Sequence, residues 1–241
     1  MITINHISKS FGNSIKAVDD VNLTLDNGEI IGFIGPNGAG KTTTIKMMMG
    51  ILDTDQGYIE LNGIDVSKNP IEAKKQVGFV SDDADVFLRL KGIEYLNFMA
   101  DIYDVSSTDR KERIAYYAAE FEMETALNDK IISYSHGMRQ KIVIMGVLIC
   151  NPKIWILDEP LTGLDPKSSY KLKQMMKDHA AKGNTVFFST HVLEVAEKLC
   201  DKVAIINKGK IVYYGTLDEL KGRYTEVDNL EEIFMKVIEN E

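Results

Sequence analysis

The sequence predicts an α/β fold: a parallel sheet, a flanking antiparallel β-layer and an inserted helical subdomain. Three observations carry that expectation. Short unbroken apolar runs recur at Ile30-Ile31-Gly32-Phe33-Ile34, Val77-Gly78-Phe79-Val80, Ile154-Trp155-Ile156-Leu157 and Thr185-Val186-Phe187-Phe188-Ser189. A continuous run is the pattern of a parallel strand covered on both faces. Elsewhere apolar and polar residues alternate, at Ile2 and Ile4 and again at Val21, Leu23 and Leu25 before the turn Asn27-Gly28. Alternation marks half-buried antiparallel strands. Within residues 84–150 the apolar spacing becomes helical.

The elements follow in order. A third strand of the β-layer, Tyr58-Ile59-Glu60-Leu61, is closed by Asn62-Gly63. Val77 to Val80 ends in Ser81-Asp82-Asp83. Leu96, Met99, Ala100 and Tyr103 then fall on one helical face, and Ile114, Tyr117, Ala118 and Phe121 repeat the spacing after the capping candidates Ser106 and Ser107. Ser135 stands as a candidate N-cap before the apolar helix Ile142 to Ile149. Ile154 to Leu157 runs into Asp158-Glu159-Pro160, and Asp165-Pro166 starts a helix with Leu172, Met175, Met176, His179 and Ala180 on one side. Gly183 stops it. The strand from Thr185 ends at Thr190-His191, and Val203-Ala204-Ile205-Ile206 turns at Asn207-Lys208-Gly209 into Ile211-Val212-Tyr213-Tyr214. Leu230, Ile233, Phe234, Val237 and Ile238 outline a last amphipathic helix. The division expected is a core of residues 1–83 and 151–241 and a helical subdomain of residues 84–150.

Composition bounds the function. The 241 residues are ample for a packed core, and a net charge of −8 without clustered Lys/Arg argues against a nucleic-acid partner. Cys150 and Cys200 lie far apart in apolar helical settings, and the N-terminus lacks a charged segment leading into a secretory core. Both thiols are expected to be reduced in a cytoplasmic protein. No apolar stretch reaches the roughly eighteen residues that a membrane span needs, so any membrane role requires another chain.

Chemistry concentrates first at Gly35-Pro36-Asn37-Gly38-Ala39-Gly40-Lys41-Thr42, between the apolar run ending at Ile34 and the helical Thr43-Thr44-Ile45-Lys46. A strand that delivers a glycine-rich turn to a helix N-terminus is a P-loop: its amides cradle phosphates, Lys41 reaches the β/γ-phosphates and the Thr42 hydroxyl ligates Mg²⁺. A chance match to its four fixed positions occurs about once in a hundred sequences of this length. The chain is thereby expected to bind a nucleoside triphosphate through Gly35 to Thr43.

The other polar candidates also terminate strands: Asp82, Asp158-Glu159 and His191. Open parallel sheets bind ligands beyond the carboxyl ends of their strands. A carboxylate at the end of a buried strand needs a partner or a metal, so Asp158 is expected on Mg²⁺, and Glu159 is placed to deprotonate a water attacking the γ-phosphate. His191 is expected to bond the γ-phosphate and hold that water. Phe11, in Lys9-Ser10-Phe11-Gly12, either stacks on an adenine or packs in the core.

Tyr134-Ser135-His136-Gly137-Met138-Arg139-Gln140, taken with the P-loop, Ile154 to Glu159, Leu164-Asp165 and His191 in this order, resembles the ATP-binding cassette (ABC) ATPases over essentially the whole chain. The resemblance implies a P-loop NTPase core, ATP hydrolysis, and a head-to-tail dimer that sandwiches ATP. Ser135 and Gly137 would then close over the γ-phosphate of a second ABC subunit, identical or related. It also implies a separate integral membrane permease, which would hold the chain at the inner face of the cell membrane and dock near Asp82 and Phe87. Phe11 matches the family's adenine-stacking aromatic. His136 and Met138 stand where the family has Gly and Gln, and Asp82 stands for a glutamine that touches Mg²⁺, with Asp83 as the alternative.

The tail after Gly215 and the fragment Leu230-Glu231-Glu232-Ile233-Phe234 resemble the exporter-type branch. The alternative is a soluble ABC ATPase acting on ribosomes or DNA. Such members resemble tandem cassettes with a basic linker or carry long coiled coils, neither of which this chain has. A non-catalytic regulatory module is a third reading, opposed by the presence of Glu159 and His191.

Overall fold

The computed structural model describes residues 1–12, 15–85, 87–224 and 229–239. Two sheets and the helices around them account for the architecture. In the first sheet β1 (Ile2–Phe11) pairs antiparallel with β2 (Ile15–Leu25) and β4 (Gln56–Leu61), and β4 with the two-residue β5 (Ile64–Asp65), in the order β2-β1-β4-β5. The register sets Ile2 against Leu25 and Leu61, and Ile4 against Leu23 and Ile59. The alternation read from the sequence is therefore one buried face.

The second sheet has the order β10-β9-β3-β8-β7-β6. Its members are β3 (Ile30–Ile34), β6 (Val77–Val80), β7 (Ile154–Leu157), β8 (Thr185–Thr190), β9 (Lys202–Asn207) and β10 (Lys210–Thr216). All neighbours pair in parallel except β10, which turns back antiparallel on β9. The unbroken apolar runs are covered on both sides, as their pattern requires. Ile154 and Ile156 face the β-layer core with Ile31, Phe33 and Phe187, whereas Trp155 and Leu157 face the helical core with Val186 and Phe188.

Helix α1 (Lys41–Met48) follows β3 and packs with the β-layer. The region between β6 and β7 holds α3 (Gly92–Ile102), α4 (Ser107–Phe121) and α5 (His136–Cys150). Ser106 caps α4 through the Asp109 amide. Buried Leu96, Phe121 and Ile142 join Trp155 and Phe188 in one apolar cluster, so these helices share a core with one face of the sheet. Helix α6 (Pro166–Ala181) lies in the same cluster. Its His179 is buried, stacked on Trp155 at 4.0 Å, and pushed down to about 4 by that burial. Helices α7 (Leu193–Leu199), α8 (Leu217–Arg223) and α9 (Leu230–Glu239) pack with residues of β3, β9 and β10 in a third cluster. The short α2 (Pro70–Lys74) leads into β6. Cys150 and Cys200 are free and half-buried. Among the described residues no helix is long and apolar enough to cross a membrane.

Candidate active site

Parallel pairing aligns four strand ends. Ile34 sits opposite Thr190, Leu157 opposite Phe188, and Val80 opposite Leu157. The residues that follow β3, β6, β7 and β8 thus emerge on one edge, as the strand-end argument requires. A cavity of about 230 Å³ opens there, lined by Asn37, Gly38, Lys41, Thr42, Thr43, Asp82, Asp158 and Glu159 together with Gly40 and Ala17.

The loop from Gly35 is held from inside. The Pro36 carbonyl accepts from the Ala39 amide at 3.1 Å, and the Ala39 carbonyl accepts from the Gly209 amide at 2.9 Å. Gly40 caps α1 at φ +110°, and a Cβ there would stand 2.5 Å from the Ala17 carbonyl oxygen, so no other residue fits. Lys41 is buried, and its Nζ donates to the carbonyls of Gly35 at 2.7 Å and Pro36 at 3.2 Å. Burial pulls its pKa down, while the carboxylates of Glu159 and Asp158 pull it back up. The loop's own carbonyls thus hold the Lys41 side chain at the mouth of the loop, near two carboxylates.

Asp158 is 1% exposed. Burial raises its pKa, opposed by hydrogen bonds from Ser189 and Thr42, with the carboxylates of Asp82 and Glu159 adding to the rise. Such a desolvated anion, beside a threonine hydroxyl and across from exposed Asp82, suits Mg²⁺, which binds through one or two carboxylates with phosphate and water completing its shell. Among the described residues no three His, Cys, Asp or Glu side chains converge into a cage. Asp82 accepts from the Ser81 hydroxyl at 3.1 Å and faces the cavity. Asp83 is turned into its own loop, where Oδ1 accepts from the Asp85 amide at 2.9 Å.

Glu159 has φ +48°, a left-handed conformation rare for a non-glycine residue. Its amide donates to Ser189 Oγ at 2.9 Å, and the same hydroxyl donates to Asp158 Oδ1. Ser189 was missed in the sequence because it reads as part of an apolar strand. No local pattern singles it out, because Thr190 beside it offers the same hydroxyl. His191 Nδ1 lies 3.0 Å from Glu159 Oε1, and its ring lines a neighbouring depression with Pro160 and Thr162. The structure thus sets His191 on Glu159, outside the lining of the phosphate cavity.

Ser135 and Gly137 are elsewhere. Ser135 is exposed, caps α5 by accepting from the Met138 amide at 3.3 Å, and does not line the cavity formed by its own chain's P-loop. A Cβ on Gly137 would meet the Gly163 carbonyl oxygen at 2.7 Å, so the helix tip is buttressed by the loop after β7. Two further ties join them. Gln140 is buried with Nε2 3.4 Å from the Pro160 carbonyl, and Lys141 pairs at 2.8 Å with Asp165, the α6 N-cap. That lysine, with the Ser168 amide and hydroxyl, holds the Asp165 carboxyl well below its usual range. Phe11 is 44% exposed at the end of β1, so it is not a core residue.

A glycine turn at a helix mouth, a buried lysine, a threonine hydroxyl and strand-end carboxylates define a site for hydrolysing nucleoside triphosphates. The chain belongs to the ABC transporter family, whose profile matches residues 18–162. It is 36% identical over 224 residues to the ABC transporter ATP-binding protein NatA of Bacillus subtilis (strain 168), covering 91% of each chain. The ATP-binding subunit of an ABC transporter superposes with a TM-score of 0.94 at 30% identity, covering 98% of this chain and 99% of that one. A dimeric bacterial ABC transporter cassette superposes at 0.81 with 26% identity, covering 90% and 99%. The protein is an ATP-binding, ATP-hydrolysing subunit of the transporter type.

Proposed function

We propose that this subunit hydrolyses ATP within a head-to-tail dimer and thereby drives a separate integral membrane permease, in the direction of export. One observation carries the dimer: Ser135 is exposed at the tip of α5, and neither it nor half-buried Gly137 lines their own chain's phosphate cavity. A helix N-terminus favours anions. A γ-phosphate held by a second subunit, identical or related, is the anion such a tip would meet.

In this reading the amides of Gly35 to Thr43 and the Lys41 ammonium bind the phosphates, and Phe11, exposed at a strand end, stacks on the adenine. Thr42, Asp158 and Asp82 would hold Mg²⁺, which supplies neutralisation of the phosphate charge. Glu159 accepts the proton of a water that attacks the γ-phosphorus, releasing ADP and phosphate. His191, 3.0 Å from that carboxylate, keeps it aimed and reaches the γ-phosphate. Closure of the tip over bound ATP gives ATP a differential affinity for the closed dimer, the only means by which a ligand shifts a conformational equilibrium.

Residues 84–150 would move as one unit against a core of residues 1–83 and 151–241. The permease would dock near Asp82 and Phe87, where the exposed Phe87 ring clusters with Phe98 at 5.3 Å and Tyr95 at 5.5 Å. This docking would hold the chain at the cytoplasmic face of the cell membrane. Export rests on the resemblance of its C-terminal tail to exporter-type subunits.

The test is Glu159→Gln with saturating ATP. Hydrolysis should fall by about 10²–10⁴ while ATP stays bound, and light scattering should report a dimer. A monomer under those conditions would overturn the sandwich.

A further inference from the structure

A larger cavity than the phosphate cleft lies at the opposite end of α1. Its volume is about 610 Å³ against about 230 Å³, and the lining shares no residue with the cleft. Buried Met47, Ile59 and Val66 give it an apolar floor. Asp53 and Lys74, both exposed, stand in its wall. Neither forms an ion pair among the described residues. The only side-chain hydrogen bond of Lys74 among them runs from Nζ to the Gly50 carbonyl, at a long 3.4 Å.

We propose that this cavity binds a small zwitterion with an apolar body, of the size of a di- or tripeptide with leucine-like side chains. Its ammonium would face Asp53 and its carboxylate Lys74. The floor rewards burial of apolar surface, which gives an inorganic ion nothing. Two opposite charges in one wall suit a molecule carrying both and disfavour one carrying a single charge. The volume lies in the range of small-molecule sites, about 300–1,000 Å³, and exceeds what one amino acid fills. Exposed charge pairs contribute modestly. The floor therefore sets affinity and the two charges set orientation.

Calorimetric titration of the full chain with the free dipeptide leucyl-leucine tests this. Saturable one-to-one binding is expected, and N-acetyl-leucyl-leucine amide, the same body without charges, should bind several-fold more weakly. Val66→Trp, which fills the floor, should abolish dipeptide binding while ATP binding persists. Lack of saturation at millimolar dipeptide, equal affinity for the capped compound, or unchanged binding to Val66→Trp would each overturn the proposal. Should Val66→Trp fail to bind ATP and so prove misfolded, Asp53→Asn with Lys74→Met decides. Both side chains are exposed, a several-fold loss supports the site, and unchanged affinity refutes it.

Discussion

Two helix N-termini in this molecule are built to opposite ends. At α1 no side chain caps the first turn: Gly40 offers only backbone, and Lys41, Asp158 and Glu159 enclose the space in front of it. At α5 the cap is made internally, by Ser135 on the Met138 amide, and the tip is exposed. The first leaves its amides for a ligand and surrounds them with charge; the second has one amide already capped and points outward. A helix end capped from within folds without its ligand, so it can meet a phosphate supplied from outside and release it again.

The contrast is most severely tested at Lys41. Lys41→Ala removes the one buried cation of the loop, and ATP binding should be lost outright in an equilibrium nucleotide titration; retained affinity would mean that the amides alone hold the phosphates. His191→Ala should act on the same side but on rate. Turnover is expected to fall by about 10²-fold or more with little change in ATP affinity, because its contact in the chain is to Glu159 and the loop amides with Lys41 carry most of the phosphate binding. An affinity loss as large as that of Lys41→Ala would make it a binding residue. Smallest is Ser135→Ala. It should cost about 1 kcal/mol of stability as a lost N-cap and leave ATP binding to the single chain unchanged. In the Glu159→Gln background, though, it should weaken the ATP-dependent dimer in light scattering. A Ser135→Ala chain that binds ATP poorly on its own would erase the distinction between the two helix ends.

The sequence was most legible where burial is two-sided. Val77–Val80 and Ile154–Leu157 form strands over the residues of their apolar runs, because a run of four apolar residues suits a parallel strand covered on both faces and is too short for a helix. Asp165 and Pro166 also stand where cap chemistry puts them. Short elements escaped. β5 has two residues and α2 five, too few for any period to register. Helix α7 begins at Val192 without a side-chain cap, so its start is set by packing on the sheet. Helix α8 did carry a signal, the reciprocal box of Thr216 and Glu219. In the site, residue types at strand ends were readable, but contacts between strands were not. Ser189 and the Ala17 wall belong to the site through pairing across the fold, which no local pattern encodes. Phe11 lay open between stacking and packing until its exposure removed the second.

Ser189 has a wider consequence. One oxygen atom steadies the acid buried beneath the cleft and, through a backbone amide, the bend that aims the next acid along. The two acids therefore share an anchor besides the ties each has to Thr42 or His191. Any drift of the strand beneath it disturbs both together.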